Sequence, residues 1–165
     1  MSQNILKNKS SQIDLSVYIK SFLLLMKPRV MSLVIFTAFV GMFLAPGQIG
    51  QFNYVIVIIA IAIGAGSSAS INMWFDEDID KTMERTKTRP IPLGIISKTE
   101  ALVFGILTGI ISLYIMYNAS NVLATSLLLF TILFYVIIYT IWLKRTTSLN
   151  IVIGGAAGAI PPIIG

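Results

Sequence analysis

Asn72, Asp76 and Asp80 stand four residues apart in the stretch NMWFDEDIDKTMERTKTRPIP, residues 72–92 of a chain that is otherwise mostly hydrocarbon. On a helix that spacing puts a carboxamide and two carboxylates in one row, drifting by only about 40° per step. Hard oxygen ligands on one ridge, with room for water and phosphate oxygens, suit Mg²⁺ when it bridges a protein to a phosphorylated substrate. The cations Lys81, Arg85, Lys87 and Arg89 follow at once and could hold the phosphate oxygens that a metal does not reach. The plainer alternative is a solvated, charged loop between two apolar helices. Against it, Asp76 follows Met73-Trp74-Phe75 without a break and Asn72 lies one turn deeper, so the row begins at the membrane edge. Desolvating such groups is expensive, and an ordinary linker would avoid it.

The elements that position this row must be membrane spans. With 56% hydrophobic and 12% charged residues, the 165-residue chain is unlike a soluble domain. It has no cysteine, which excludes disulfides and thiolate metal sites, and no histidine, which excludes the usual zinc chemistry, imidazole acid–base catalysis and axial histidine ligation of haem iron. The twelve Lys and Arg fall before the first apolar stretch (Lys7, Lys9, Lys20, Lys27, Arg29), in the central loop (Lys81, Arg85, Lys87, Arg89, Lys98) and at Lys144-Arg145. The connections around 45–51 and 118–121 carry no charge. Positive loops stay cytoplasmic, so the amino terminus, the motif loop and Lys144-Arg145 are expected on the cytoplasmic side. The net charge of +5 is then a topology signal, and no nucleic-acid footprint is present.

In chain order, residues 1–21 read as a cytoplasmic tail without a signal peptide, and 22–165 as a membrane domain with a cytoplasmic motif loop at 76–98. Spans are expected at 22–44, 52–75, 101–117 and 122–143, with a fifth starting at Asn150 and reaching Gly165 after about sixteen residues. Lys27 and Arg29 either snorkel to the headgroups or border the motif and help hold an anion. Pro28 suits a helix entrance. Gly64 to Ser70 is built of small residues, ordinarily a packing surface between helices, with room for a long apolar substrate tail as the functional variant. Arg89 to Gly94, with two prolines, ends the helix and could form a shaped cap over the site. Tyr135 and Tyr139 sit where an interfacial aromatic belt would.

These residues resemble the UbiA superfamily of membrane prenyltransferases. Its Asn-x-x-x-Asp-x-x-x-Asp pattern is matched at Asn72, Asp76 and Asp80, and KPRVMSLVIFTAFVG from Lys27, the motif stretch itself and YTIWLKRTTSLNIVIGGAAGAIPPIIG from Tyr139 are most similar to the protohaem IX farnesyltransferase branch. The resemblance implies an all-α, polytopic transmembrane helix bundle, here four full spans plus a truncated fifth, the first half of such a fold. It implies farnesyl diphosphate held through Mg²⁺ by Asn72, Asp76 and Asp80, with Arg29, Arg85, Arg89 and Lys144 as diphosphate-contact candidates. The implied acceptor is a vinyl group of haem B, giving haem O for terminal oxidases. The implied setting is a bacterial inner membrane, with haem A synthase or oxidase assembly factors as neighbours. The family's Tyr-x-x-x-Lys pattern is one residue longer here, Tyr139 to Lys144, so Tyr139 has no assigned role. The second aspartate-containing loop of the family has no counterpart, which leads to the expectation that this polypeptide alone is weakly active or inactive.

The readings that compete with this enzyme are an inactive remnant of it, another UbiA-type aromatic prenyltransferase, and a cation transporter using Asp76 and Asp80. The last is disfavoured because ion-coupling carboxylates lie near the bilayer midplane.

Overall fold

Apolar runs of this length must bury their backbone hydrogen bonds within helices, and they do. The computed structural model describes residues 14–46 and 50–164, and the tail lysines Lys7 and Lys9 lie outside them. The helices are α1 (Leu15–Leu25), α2 (Pro28–Leu44), α3 (Gln51–Phe75), α4 (Glu77–Thr82), α5 (Lys98–Ala119) and α6 (Val122–Leu133). A π-helical segment, Phe134–Leu143, prolongs α6 and runs into α7 (Lys144–Thr146), followed by α8 (Asn150–Ala159) and α9 (Pro161–Ile164). No strand occurs among the described residues. Three helices are long and apolar enough to cross a membrane, 52–75, 98–119 and 122–146, and α1 with α2 makes a fourth if the bent pair is one span.

The first span departs from the continuous helix expected from Phe22. Helix already begins at Leu15, capped by Asp14, whose side chain accepts from the Ser16 N–H, and it breaks at Lys27, where α1 and α2 meet at 48°. Pro28 has no N–H for the α1 ladder and disfavours helical geometry in the residue before it. Lys27 accordingly takes φ 52°, in the left-handed region, the only described non-glycine residue to do so. The last apolar stretch is likewise divided, at Ile160 before Pro161.

The most extensive helix contact is that of α3 with α5. The small residues of α3 make it, as their composition suggests. A Cβ on Gly105 would lie 2.6 Å from Ile71 Cγ1, and one on Gly109 would lie 2.8 Å from Ser67 Oγ, so only glycine permits this approach. Across the seam Ser67, Ser70 and Ser112 donate to the carbonyls of Gly105, Ala101 and Ala60 at 2.7, 2.9 and 2.8 Å. Small residues and hydroxyl bonds of this kind replace the hydrophobic drive that lipid does not supply.

The main core joins α2, α3, α5, α6 and α9 through Ala38, Val57, Ile61, Met116, Leu128 and Ile164. A second core at the motif end holds Leu25, Met73, Ile91, Ile96 and Ala101. It seats the turn after Arg89, where Gly94 takes φ 72° and the Ile95 N–H reaches the Pro90 carbonyl at 3.0 Å. The cap inferred from the two prolines is therefore packed against α1, α3 and α5. Phe36, Phe43, Ile110, Tyr114, Leu123 and Val152 are among the large apolar side chains left exposed on the helices, as a bilayer-facing surface requires.

Candidate functional site

The row predicted from spacing exists and faces inward. Asn72, Asp76 and Asp80 are 2%, 0% and 3% exposed. Helix α3 ends at Phe75, yet the ladder carries through Asp76: its N–H bonds the Asn72 carbonyl at 3.0 Å, and the Asp80 N–H bonds the Asp76 carbonyl at 2.8 Å. The i, i+4 register therefore survives into α4. The intervening acids turn elsewhere. Glu77 pairs with Lys81 at 2.6 Å and Lys98 at 3.4 Å. Asp78 takes Arg145 through both carboxylate oxygens at 3.0 and 2.7 Å, and that guanidinium bond holds its carboxyl below the usual aspartate range.

Each residue of the row has a cation, two from distant parts of the chain and one from the loop that follows. Lys27 Nζ donates to Asn72 Oδ1 at 2.6 Å. Lys144 Nζ pairs with Asp76 Oδ2. Arg89 Nη1 bonds Asp80 Oδ2 at 2.6 Å, folding the loop back over α4, and the buried Thr86 hydroxyl reinforces the fold by donating to the Asp80 carbonyl at 3.1 Å. Both amide hydrogens of Asn72 are used, toward Asp76 Oδ2 at 2.8 Å and Thr140 Oγ1 at 3.1 Å. Asp76 Oδ1 is buried and without a hydrogen-bond partner. Arg85 and Arg29, by contrast, are exposed, and neither forms an ion pair among the described residues, so the structure does not bring them to the cluster.

Three cations face two carboxylates, an excess of positive charge that favours an anionic ligand. The donor set also bears on Mg²⁺. Among the described residues no group of three or more acidic, His or Cys side chains could hold a metal, so a tight resident site is not built. Two carboxylates and an amide, with one carboxylate oxygen left without a partner among the described residues, fit instead an ion that arrives already coordinated by phosphate oxygens.

The fourth span supplies the opposite wall through its π-helical turn. The Lys144 N–H reaches back five residues to the Tyr139 carbonyl, and the Thr140 hydroxyl reaches back five to the Tyr135 carbonyl at 2.9 Å. Bonds that reach back five residues are those of a π-helix. The extra residue between Tyr139 and Lys144 is thereby absorbed, and the two stay in phase. Tyr139 packs against Tyr135 in a tilted pair, centroids 5.0 Å apart and planes at 37°, and lies against Gly154, where a Cβ would collide with its ring. Arg145 fixes the end of this span to the motif: besides Asp78 it donates to the Phe75 carbonyl at 3.2 Å, and its guanidinium lies 4.6 Å from the Phe75 ring centroid. Sequence reading uses Arg145 only as a topology marker and passes over Thr86 and Thr140. Arg145 alone leaves a signal, since an arginine beside Lys144 could meet a motif rich in acids.

Below the row a cavity of about 230 Å³ opens between α2, α3, the fourth span and α8, lined by apolar and small residues including Val30, Val34, Ala65, Ala69, Tyr135 and Gly158. Lys27 stands in its wall, so the cavity and the charged row adjoin. The row lies at the end of α3, at the lip of the bundle, unlike a midplane ion-coupling site.

An inward Asn/Asp row held by cations above an apolar cavity is a geometry suited to an anion that carries a hydrocarbon tail. Residues 34–165 match the UbiA prenyltransferase family, and the chain belongs to it. Over 147 residues it is 56% identical to the protoheme IX farnesyltransferase of Rickettsia akari and 57% identical to that of Rickettsia prowazekii. Those alignments take in 89% of this chain and 48% and 47% of the two relatives. The chain thus spans about half the length of the curated relatives it matches.

Proposed function

We propose that this protein transfers a farnesyl group from farnesyl diphosphate to a vinyl group of haem B, the reaction that yields haem O. The observation that carries the reading is the buried Asn72-Asp76-Asp80 row, with its cations and one orphaned oxygen, set on an apolar cavity. The farnesyl donor and the haem acceptor are those of the protoheme IX farnesyltransferases 56% and 57% identical to this chain, and the family supports prenyl transfer.

In this reading Lys27, Lys144 and Arg89 neutralise the diphosphate and stabilise the charge that builds on it as the allylic carbon–oxygen bond breaks. Asn72, Asp76 and Asp80 would hold Mg²⁺, which when bound supplies Lewis-acid stabilisation of the leaving diphosphate. The apolar lining from Val30 to Gly158 takes the isoprenoid and keeps water from the allylic cation. The terminal vinyl carbon bonds to that cation as diphosphate departs, the positive charge passes to the vinyl carbon next to the porphyrin ring, and water adds there and loses a proton to complete the hydroxyethylfarnesyl group. The positive segments support placing the motif face in the cytoplasm, with the span ends crossing a bacterial inner membrane beside enzymes that consume haem O.

The test is to supply the protein in membranes with farnesyl diphosphate, Mg²⁺ and haem B and to follow the haem by mass spectrometry. A hydroxyethylfarnesyl adduct is expected, and its absence would favour the inactive remnant weighed above. Farnesylation of an added aromatic acid with none of haem would overturn the acceptor, and an unchanged rate in Asp76→Asn would overturn the diphosphate site.

A further inference from the structure

We infer that Thr140 is a positioning residue that keeps the Asn72 carboxamide oxygen turned toward the ligand when the charged neighbours of Asn72 leave it. The inference rests on the diphosphate reading of the site and adds a residue to it.

A primary amide presents its oxygen on one side and two hydrogens on the other, so its usefulness as a ligand depends on its rotation. In this structure Asn72 is fixed by three partners: Lys27 on Oδ1, and Asp76 Oδ2 and Thr140 Oγ1 on Nδ2. Two of them are charged groups that a metal-bearing diphosphate would recruit, an ammonium for its phosphate oxygens and a carboxylate for its metal. Once they turn to the ligand, Thr140 is the neutral partner that stays behind. It is 0% exposed, so no water takes its place.

Threonine could in principle donate to Asn72 instead, which would present the wrong side of the amide. The π-helical turn prevents this. The single hydroxyl hydrogen of Thr140 is committed to the Tyr135 carbonyl at 2.9 Å, five residues back, which leaves its oxygen only the role of acceptor. The Asn72 NH₂ must then face Thr140, and Oδ1 must face away. In an ordinary α-helical turn the hydroxyl would reach back four residues, as those of Thr125 and Thr131 do, and not to Tyr135.

The experiment compares the wild-type protein with Thr140→Val, which keeps the shape and removes the acceptor, and Thr140→Ser, which keeps the hydroxyl. Each is purified in detergent, its melting temperature is recorded, and Mn²⁺ retention in the presence of inorganic pyrophosphate is read by electron paramagnetic resonance. Thr140→Val should weaken retention roughly fivefold to tenfold, the worth of one buried hydrogen bond, while Thr140→Ser stays within about twofold. In an Asn72→Asp background, where the two oxygens are equivalent and rotation is irrelevant, Thr140→Val should weaken retention by less than about twofold. Retention by Thr140→Val equal to wild type would overturn the inference, as would a loss in Thr140→Ser as large as that in Thr140→Val, which would mark packing as the cause. If Thr140→Val does not fold, Thr140→Ala takes its place with and without Asn72→Asp, and the same outcomes support or overturn the inference. Failure of the wild type to retain Mn²⁺ with pyrophosphate would instead strike the diphosphate reading itself.

Discussion

Asp76 is the most deeply buried of the described carboxylates. It is fully buried, with one oxygen shared between Lys144 and Asn72 and the other without a partner. Removing Lys144 would strand that carboxylate, so Lys144→Met is expected to destabilise the protein by about 3 kcal/mol, read as a lowered melting temperature in detergent. Adding Asp76→Asn to Lys144→Met should restore most of the stability and none of the activity, because the stranded charge is gone while the anion site stays broken. Asp76→Asn alone should lower farnesyl transfer at least about 100-fold, measured by mass spectrometry of the haem. At this scale the sequence is most informative about the row, since a four-residue repeat of Asn, Asp and Asp is legible without coordinates. The partners are less legible. Lys27 admits two readings, and Thr86 and Thr140 look like any threonine until the fold brings them to Asp80 and Asn72.

At the scale of elements, hydropathy locates the spans because burial in lipid depends on length and apolarity. It does not show where a span bends or changes pitch. The break at Lys27 lies in an apolar run that reads as continuous, and the π-helical turn has no periodicity signal that ten residues of uniformly apolar sequence could carry. The α3–α5 seam gives a direct test of the packing account. Gly105→Leu should force the helices apart and lower stability by about 1–3 kcal/mol, seen as a lower melting temperature, whereas Ile106→Leu on the exposed side of the same helix should leave the melting temperature unchanged.

For the molecule as a whole, the arrangement of charge makes a prediction about sidedness. The chain has no cysteine, so single introduced thiols report cleanly on exposure to either side of the membrane. Arg85→Cys and Leu93→Cys, both at exposed positions of the motif face, should be labelled by an impermeant reagent only from the cytoplasmic side. Pro46→Cys and Asn118→Cys, in uncharged connections, should be labelled only from the opposite side. Labelling of all four from one side would refute the topology.

The three cations that hold the row come from residues 27, 89 and 144, and this scatter bears on how the protein is made. As the ribosome threads the chain into the membrane, Asp76 enters long before Lys144 has been synthesised. Until the fourth span inserts, Lys144 is not there to pair with its carboxylate, which must stay in contact with water. The newborn chain, with Lys27 and Arg89 made but not Lys144, holds an incomplete set of cations, and the row is enclosed only when that late lysine docks.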